Sequence, residues 1–266
     1  MLIMWTREML KTNAKFALKA RYWMAVLVSL IAGFLMGGSS GFSMSSFRGN
    51  LQTNSTNFSG IKDFFTQNSG VLLPIMAGAA VIGFIAICAS IAFGIFVANP
   101  VGVGQNSYYL QNRIGKGEIT TLFSAFKAGY LNVVKVLFFK NLYIFLWSLL
   151  FIIPGIVKSY EYFAVDYILA ENPHMDEKRA LELSRLMTQG EKWNIFVVGL
   201  SFIGWVLLSM FTCFIGLIFL KPYIQATFAE LYTALREKAL AQNLAGTDEL
   251  PGFAAPDLPN FQNPVF

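Results

Sequence analysis

The stretch FIIPGIVKSYEYFAVDYILAENP, residues 151–173, decides the fold. It lies between two long apolar runs and is nearly apolar itself, yet it carries Lys158, Glu161 and Asp166, with Glu171 near its end. Pro154-Gly155 closes the preceding run, and a proline suits the first turn of a new helix. From Ile156 the residues can be helical to about Ala170, short for a bilayer crossing but feasible with local thinning or a tilted neighbour. On a helical wheel Lys158, Tyr162 and Asp166 form an i, i+4 row, with Glu161 about 60° to one side. Ile156, Tyr160, Phe163, Ala164 and Tyr167 fall opposite. The charges make one stripe that can face a bundle interior while the apolar face meets lipid.

Composition gives the reason to read such a stretch as a crossing segment. Of the 266 residues, 55% are hydrophobic and 13% charged, and the mean hydropathy is +0.54. A soluble domain carries about 25% charged residues, so the balance points to a bilayer. The 26 phenylalanines and 5 tryptophans suit lipid-facing bulk and interfacial anchors. A net charge of +5 fits anchoring at a cytoplasmic surface, and no nucleic-acid partner is expected.

Working outward, residues 3–21 alternate apolar and basic positions at helical spacing. Thr6 is placed to cap, and Arg7, Lys11, Lys15 and Lys19 form one basic stripe, as on a helix lying on an anionic leaflet. Residues 22–36 are free of charge and read as the first span. The Ser/Asn/Thr/Gly-rich residues 37–70 read as an extra-cytoplasmic loop. Residues 71–97 exceed the roughly 20 residues a span needs and leave through Asn99-Pro100 into a polar segment. Residues 119–127 form a short amphipathic helix, and 131–153 a span containing Lys135 and Lys140. After the opening stretch comes a helix capped by Asp176 and ended by Gly190, with Ala180, Leu183 and Leu186 toward the membrane. Residues 193–211 are a clean span, Cys213 to Gly216 a turn, and Leu217 onward the last span. Residues 1–242 therefore form one integral membrane domain, and 243–266, with four prolines and no apolar period, a disordered cytoplasmic tail.

Three entry points share a plan: KARYWMAV from Lys19, KAGYLNVV from Lys127 and GEKWNIFVV from Gly190 each join an amphipathic helix to a span through an aromatic. Three returning segments do too: NPVGVGQNSYYLQNR, IPGIVKSYEYFAVDYILAEN and KPYIQATFAELYTALRE each open on a proline. The expectation is an all-α, polytopic transmembrane helical bundle of about six spans in three hairpins, with interfacial amphipathic helices. Internal repeats are common in such bundles. Six spans place the main basic clusters on one side, so both termini are expected in the cytoplasm. Leaving the opening stretch out of the membrane would split those clusters.

The candidate intramembrane polar site is Lys140, Lys158, Glu161, Tyr162, Asp166 and Lys221. Counting back from the turn, Lys140 reaches the depth of Asp166, so this pair is expected within the membrane. Glu161 can pair with Lys158 or with Lys221. Ionised side chains in lipid cost about 2.5–3.5 kcal/mol on insertion scales, so pairing or water is required. Two readings stand open: these residues line a polar cavity for an ion, lipid headgroup or small solute, or they are satisfied pairs that fix helix register. No nucleophile elbow, HExxH, phosphate-binding glycine loop or Cys–His metal spacing is present, so no catalytic residue, metal or cofactor is expected and the chain is not expected to be an enzyme. His174 is the only histidine, and Cys88 and Cys213 sit apart in apolar runs.

The run PGIVKSYEYFAVDYILAENP, with the ALELSRLMTQGEKW helix after it, resembles an uncharacterised bacterial membrane family, domain of unknown function 975. MWTREMLKTNAKFALKARYW and KPYIQATFAELYTALR resemble that family's start and end, so the resemblance spans most of residues 4–240. More distantly, Leu181, Ser184, Thr188, Gly190 and Trp193 resemble a pattern in the membrane domain of some glycerophosphodiester phosphodiesterases, with Met187 where leucine is usual. Their catalytic domain has no counterpart here. The resemblance implies a six-span, multi-pass module of the cell membrane, and membrane lipids are the expected partners. The expected function is a non-enzymatic transporter-like or lipid-handling module. The alternative is a scaffold that assembles with an unknown protein partner or as a homo-oligomer.

Overall fold

The apolar runs and their end signals become helices in a computed structural model of the chain, which describes residues 5–19, 21–36, 69–211 and 215–253, without side chains at 69–76 and 210. No strand occurs among the described residues. Helix α1 (Arg7–Lys19) begins at Thr6, whose hydroxyl accepts from the Met9 amide at 3.2 Å, the N-cap that its position predicts. Helix α2 (Tyr22–Leu35) turns from it by 98°.

Helix α3 (Ser69–Phe93) does not stop at Asn99-Pro100, as the sequence reading had it. A π-helical turn, Gly94–Ala98, carries it into α4 (Asn99–Asn112). Pro100 has no N–H to offer the carbonyl one turn back. The Phe96 carbonyl instead accepts from the Tyr130 hydroxyl at 2.7 Å, so the helix runs on. A 3-10 segment, Ile119–Phe123, leads into the single turn α5 (Ser124–Lys127). Gly129, at φ +62°, then turns the chain; a Cβ there would lie 2.6 Å from the Pro173 carbonyl oxygen.

Helix α6 (Tyr130–Leu150) packs along α7 (Ile152–Glu161), with the extended Phe151 between them. The hairpin is tight at Gly155, where an added Cβ would fall 2.7 Å from Ser148 Cα. Residues 162–164 then break the helix before α8 (Val165–Glu171), so the opening stretch is two helices and not one. Helix α9 (Glu177–Thr188) has the predicted Asp176 cap, which accepts from the Lys178 amide at 3.1 Å, and turns away through Gly190 at φ +80°. Helices α10 (Lys192–Leu200), α11 (Ile203–Phe211) and α12 (Ile215–Ala241) complete the order.

Among the described residues, three helical stretches are long and apolar enough to cross a bilayer: Ala77–Asn112, Tyr130–Leu150 and Lys192–Ser209. The bent pair α1–α2 makes a fourth if taken as one span. On α3, Val81, Ile82, Phe84, Ile85, Ile87 and Ile91 are each 58–70% exposed, on every side of the helix. A helix apolar all round with nothing covering it suits lipid rather than water. The count of three or four falls short of six because α2, α7 and α12 are short, broken, or half polar.

Two further expectations change. Of the α9 residues expected toward the membrane, Ala180 and Leu183 are instead buried where α9 packs on α6, α8 and α12, and Leu186 is half-buried. The tail is not unstructured from residue 243, since Leu250 is fully buried and Glu249 bonds Arg179 at 2.6 Å. Arg236 holds the same segment by donating to the Leu250 carbonyl at 2.7 Å. Residues 254–266, the expected loop through residue 68, and most of the expected turn at Cys213 lie outside the described residues. The core sits where α4, α8 and α12 meet, with Tyr167 stacked on Tyr232 at 4.9 Å and Tyr109 against Ser29 of α2.

Candidate functional site

The predicted polar stripe divides into two groups, because the helix break separates its members. Lys140 donates to Asp166 Oδ1 at 2.5 Å, the expected pair, across α6 and α8. Glu161 ends α7 and is buried, at 4% exposure. Its carboxylate accepts from Lys158 at 2.7 Å and from Lys192 at 2.6 Å, with Arg185 at 3.8 Å. Of the two partners expected for it, Lys158 is realised and Lys221 is not. Lys221 lies against Gly33 on α2, without a hydrogen bond or ion pair among the described residues. Tyr162 serves the Glu161 group: the Lys158 amine sits 5.5 Å from its ring and 5.4 Å from that of Trp147.

The break itself is closed by α9. Ser184 Oγ donates to the Glu161 carbonyl at 2.8 Å and accepts from the Ala164 amide at 3.2 Å. Thr188 donates to the same Glu161 carbonyl at 3.1 Å. Peptide groups freed by a helix break must find partners when buried, and these two hydroxyls supply them. Ser184 and Thr188 are hydroxyl residues one turn apart on an otherwise apolar face. That spacing was the available signal for the break, and sequence reading took it only as part of a resemblance.

The Lys140–Asp166 pair forms part of the wall of a cavity of about 450 Å³. The three proline-led returning segments converge on it: Asn99, Gln105 and Asn106 from α4, Ser159, Tyr160, Phe163 and Asp166 from α7–α8, and Gln225 and Phe228 from α12. Gln105 is 3% exposed, and its Nε2 has no hydrogen-bond partner among the described residues. Sequence reading missed Gln105, Asn106 and Gln225, which carry no charge and sit in segments it had assigned to a polar exit and a plain span. Glu161 does not line this cavity. The one lysine and one carboxylate of the wall cancel, so the lining presents hydrogen-bonding groups with little net charge. Such a wall suits a neutral or zwitterionic guest and lacks the clustered acids of a cation site. No group of three or more metal-ligating side chains occurs among the described residues.

Beyond the apolar region the charges are paired in a separate layer. Arg113 meets Glu230 at 2.6 Å, Arg236 meets Glu171 at 3.0 Å, and Lys238 meets Glu191 at 2.7 Å. The Arg179 guanidinium hydrogen-bonded to Glu249 holds that carboxyl below its ordinary range.

The all-helical fold and its long apolar helices are compatible with a membrane protein. Residues 117–239 match the family described as Protein of unknown function (DUF975), the family that the sequence resembles. The match takes in Lys140, Glu161, Asp166 and Ser184 and leaves out α1 to α4, including Gln105. Comparison with curated proteins and with solved structures returns no match. The link to the glycerophosphodiester phosphodiesterase membrane domain finds no support.

Proposed function

We propose that the chain is a multi-pass, non-enzymatic protein of the cell membrane whose central cavity binds a small neutral or zwitterionic solute in a transporter-like cycle. The carrying observation is the buried Gln105 Nε2, without a hydrogen-bond partner among the described residues, on the same cavity wall as the Lys140–Asp166 pair. A buried donor left unpaired costs about 1–3 kcal/mol, which a hydrogen-bonding guest returns. The surroundings support this reading, because transporter sites form at repeat interfaces beside interrupted helices. Here three returning segments meet at the cavity, with the α7–α8 break and the π turn before Asn99 beside it. The proposal keeps six crossing segments in three hairpins and both termini in the cytoplasm, with α7–α8 as one broken crossing.

A scaffold is the second reading, favoured by the direct Lys140–Asp166 pair, which already satisfies both charges. Native mass spectrometry of the protein released from its own membrane separates the two. Transport predicts a small non-lipid adduct on the wild type that Gln105→Leu loses while remaining folded. A wild type free of such an adduct, or an adduct indifferent to Gln105→Leu, removes the solute proposal. A C-terminal reporter reading outside the cell overturns the topology.

A further inference from the structure

A separate groove lies on the opposite side of α12, lined by residues that the central cavity does not use. Helix α1 buries Leu10, Ala14 and Leu18 against α12. Lys11, Lys15 and Lys19 follow one another at i, i+4 spacing along the flank of that face. All three line an open groove of about 900 Å³, at the upper end of the roughly 300–1,000 Å³ range of small-molecule sites. The facing wall is apolar: Trp205 and Leu208 from α11, Phe219 and Leu220 from α12, with Tyr22 and Tyr223 at its margins.

The three lysines have no ion pair among the described residues. Lys11 lies 4.7 Å over the Phe202 ring and Lys15 5.9 Å over that of Tyr223. Among the described residues no carboxylate lines the groove, and Glu8, the one acid on α1, forms no ion pair with the lysines. Burial first, then the neighbouring charges of Arg7 and Lys15, depress the proton affinity of the Lys11 amine. The groove is short of negative charge and lined by apolar rings. A free phosphate would satisfy the lysines and leave the apolar wall wet, whereas a fatty chain alone would leave the amines unpaired.

We propose that this groove is a site for an anionic diacyl phospholipid, its phosphate held by Lys11, Lys15 and Lys19 and its chains laid against Trp205, Leu208 and Phe219. Basic pockets between helices at a membrane surface bind anionic headgroups in this way. The site rests on the membrane assignment above but not on the solute cavity. It gives the basic stripe of α1 a defined occupant rather than a diffuse attraction to a charged leaflet.

The test uses the full chain in detergent micelles, titrated with phosphatidylglycerol or phosphatidylcholine and read by native mass spectrometry. The wild type is expected to retain phosphatidylglycerol preferentially. Each lysine changed to glutamine should reduce that preference about fivefold, so K11Q/K15Q/K19Q should lose it by about a hundredfold. The triple arginine variant should keep it. Lys15 is exposed, so K15Q alone tests the site if the triple variant misfolds. A folded K15Q or triple variant with the wild-type preference overturns the site. So does displacement of the lipid by millimolar inorganic phosphate, which would mark a free-anion site. Loss of retention for both lipids in the wild type would instead strike at the membrane reading.

Discussion

Glu161→Gln is the substitution that best separates a structural charge from a functional one. The carboxylate is buried, receives two short hydrogen bonds from Lys158 and Lys192, and faces Arg185 at 3.8 Å. Glutamine keeps the volume but removes the charge and one acceptor, leaving two ammonium groups crowding a neutral amide. Removing one partner of a fully buried ion pair costs about 3–5 kcal/mol. The lysine side chains here are 22% and 34% exposed, so water or a shift of either chain recovers part of that. We expect a loss of about 2 kcal/mol, a fall in melting temperature of roughly 4–8 °C at this chain length.

The assay is thermal unfolding in a mild detergent, with Lys192→Met and the double variant completing the cycle. The double variant should lose about 1 kcal/mol less than the two single losses combined, because the second change removes a charge the first has stranded. Small-molecule retention by the central cavity should not change, since Glu161 does not line it. Glu161→Gln melting within about 1 °C of the wild type, or additive losses in the double variant, would refute the assignment of this carboxylate as the lock between α7, α9 and α10.

Ser184→Ala removes a donor to the Glu161 carbonyl and the acceptor of the Ala164 amide, so it should cost about 1–2 kcal/mol in denaturant unfolding. Thr188→Val should cost less, because Ser184 still serves that carbonyl. Gly155→Ala forces a Cβ to within 2.7 Å of Ser148 Cα and should splay the α6–α7 hairpin at a cost of about 1–3 kcal/mol, read as a lower melting temperature. Docking of residues 244–253 should be sensitive to acid. Arg179 lowers the Glu249 carboxyl from its ordinary 4.5, so the contact is complete above that pH and is lost as pH falls below it. Anisotropy of a fluorophore at position 253 should drop in that window in the wild type, and Glu249→Gln should show the low value already at neutral pH.

The helices were legible wherever an apolar run met a cap. Thr6, Asp176 and Gly190 act as their residue types dictate, and the Lys140–Asp166 pairing followed from counting residues back from the Phe151 turn. What failed was continuity. Pro100 read as an exit because a proline removes a helical hydrogen bond, but a tyrosine 30 positions later in the chain replaces that bond at the Phe96 carbonyl. The opening stretch read as one helix because nothing in its own residues breaks it; the break is held by Ser184 and Thr188 on another element. Helix periodicity reports a residue's neighbours along one helix, and both errors concern partners supplied from elsewhere. Gln105 and Gln225 were invisible for a related reason, since an uncharged amide, in a polar exit or in a span, gives no sign of whether it meets water, a partner or a cavity.

The weak repeat gains a physical meaning from the same hydroxyl contacts. Tyr22 opens the first entry helix and donates to the Phe219 carbonyl at 3.0 Å, just before Pro222 in the third returning segment. Tyr130 opens the second and donates to Phe96, just before Pro100 in the first returning segment. The third entry packs on the second returning segment, through Lys192 on Glu161 and Phe196 against Tyr160 at 6.0 Å. Each entry helix therefore meets one returning segment, the first on the third, the second on the first and the third on the second. A proline in a helix exposes a carbonyl, which in an apolar setting costs several kcal/mol unless a donor reaches it. Tyr130 supplies that donor at the Phe96 carbonyl freed by Pro100, whereas Tyr22 bonds the Phe219 carbonyl, one residue past the Ile218 carbonyl that Pro222 frees. The third junction uses an ion pair instead, because Trp193 replaces the tyrosine and Pro154 lies in the first turn of α7, where its missing N–H exposes nothing. The charged hub at Glu161 is thus the third member of a set of inter-hairpin ties. That argues for reading Glu161 as structure and the polar cavity lined by Gln105 as the proposed place where a guest binds.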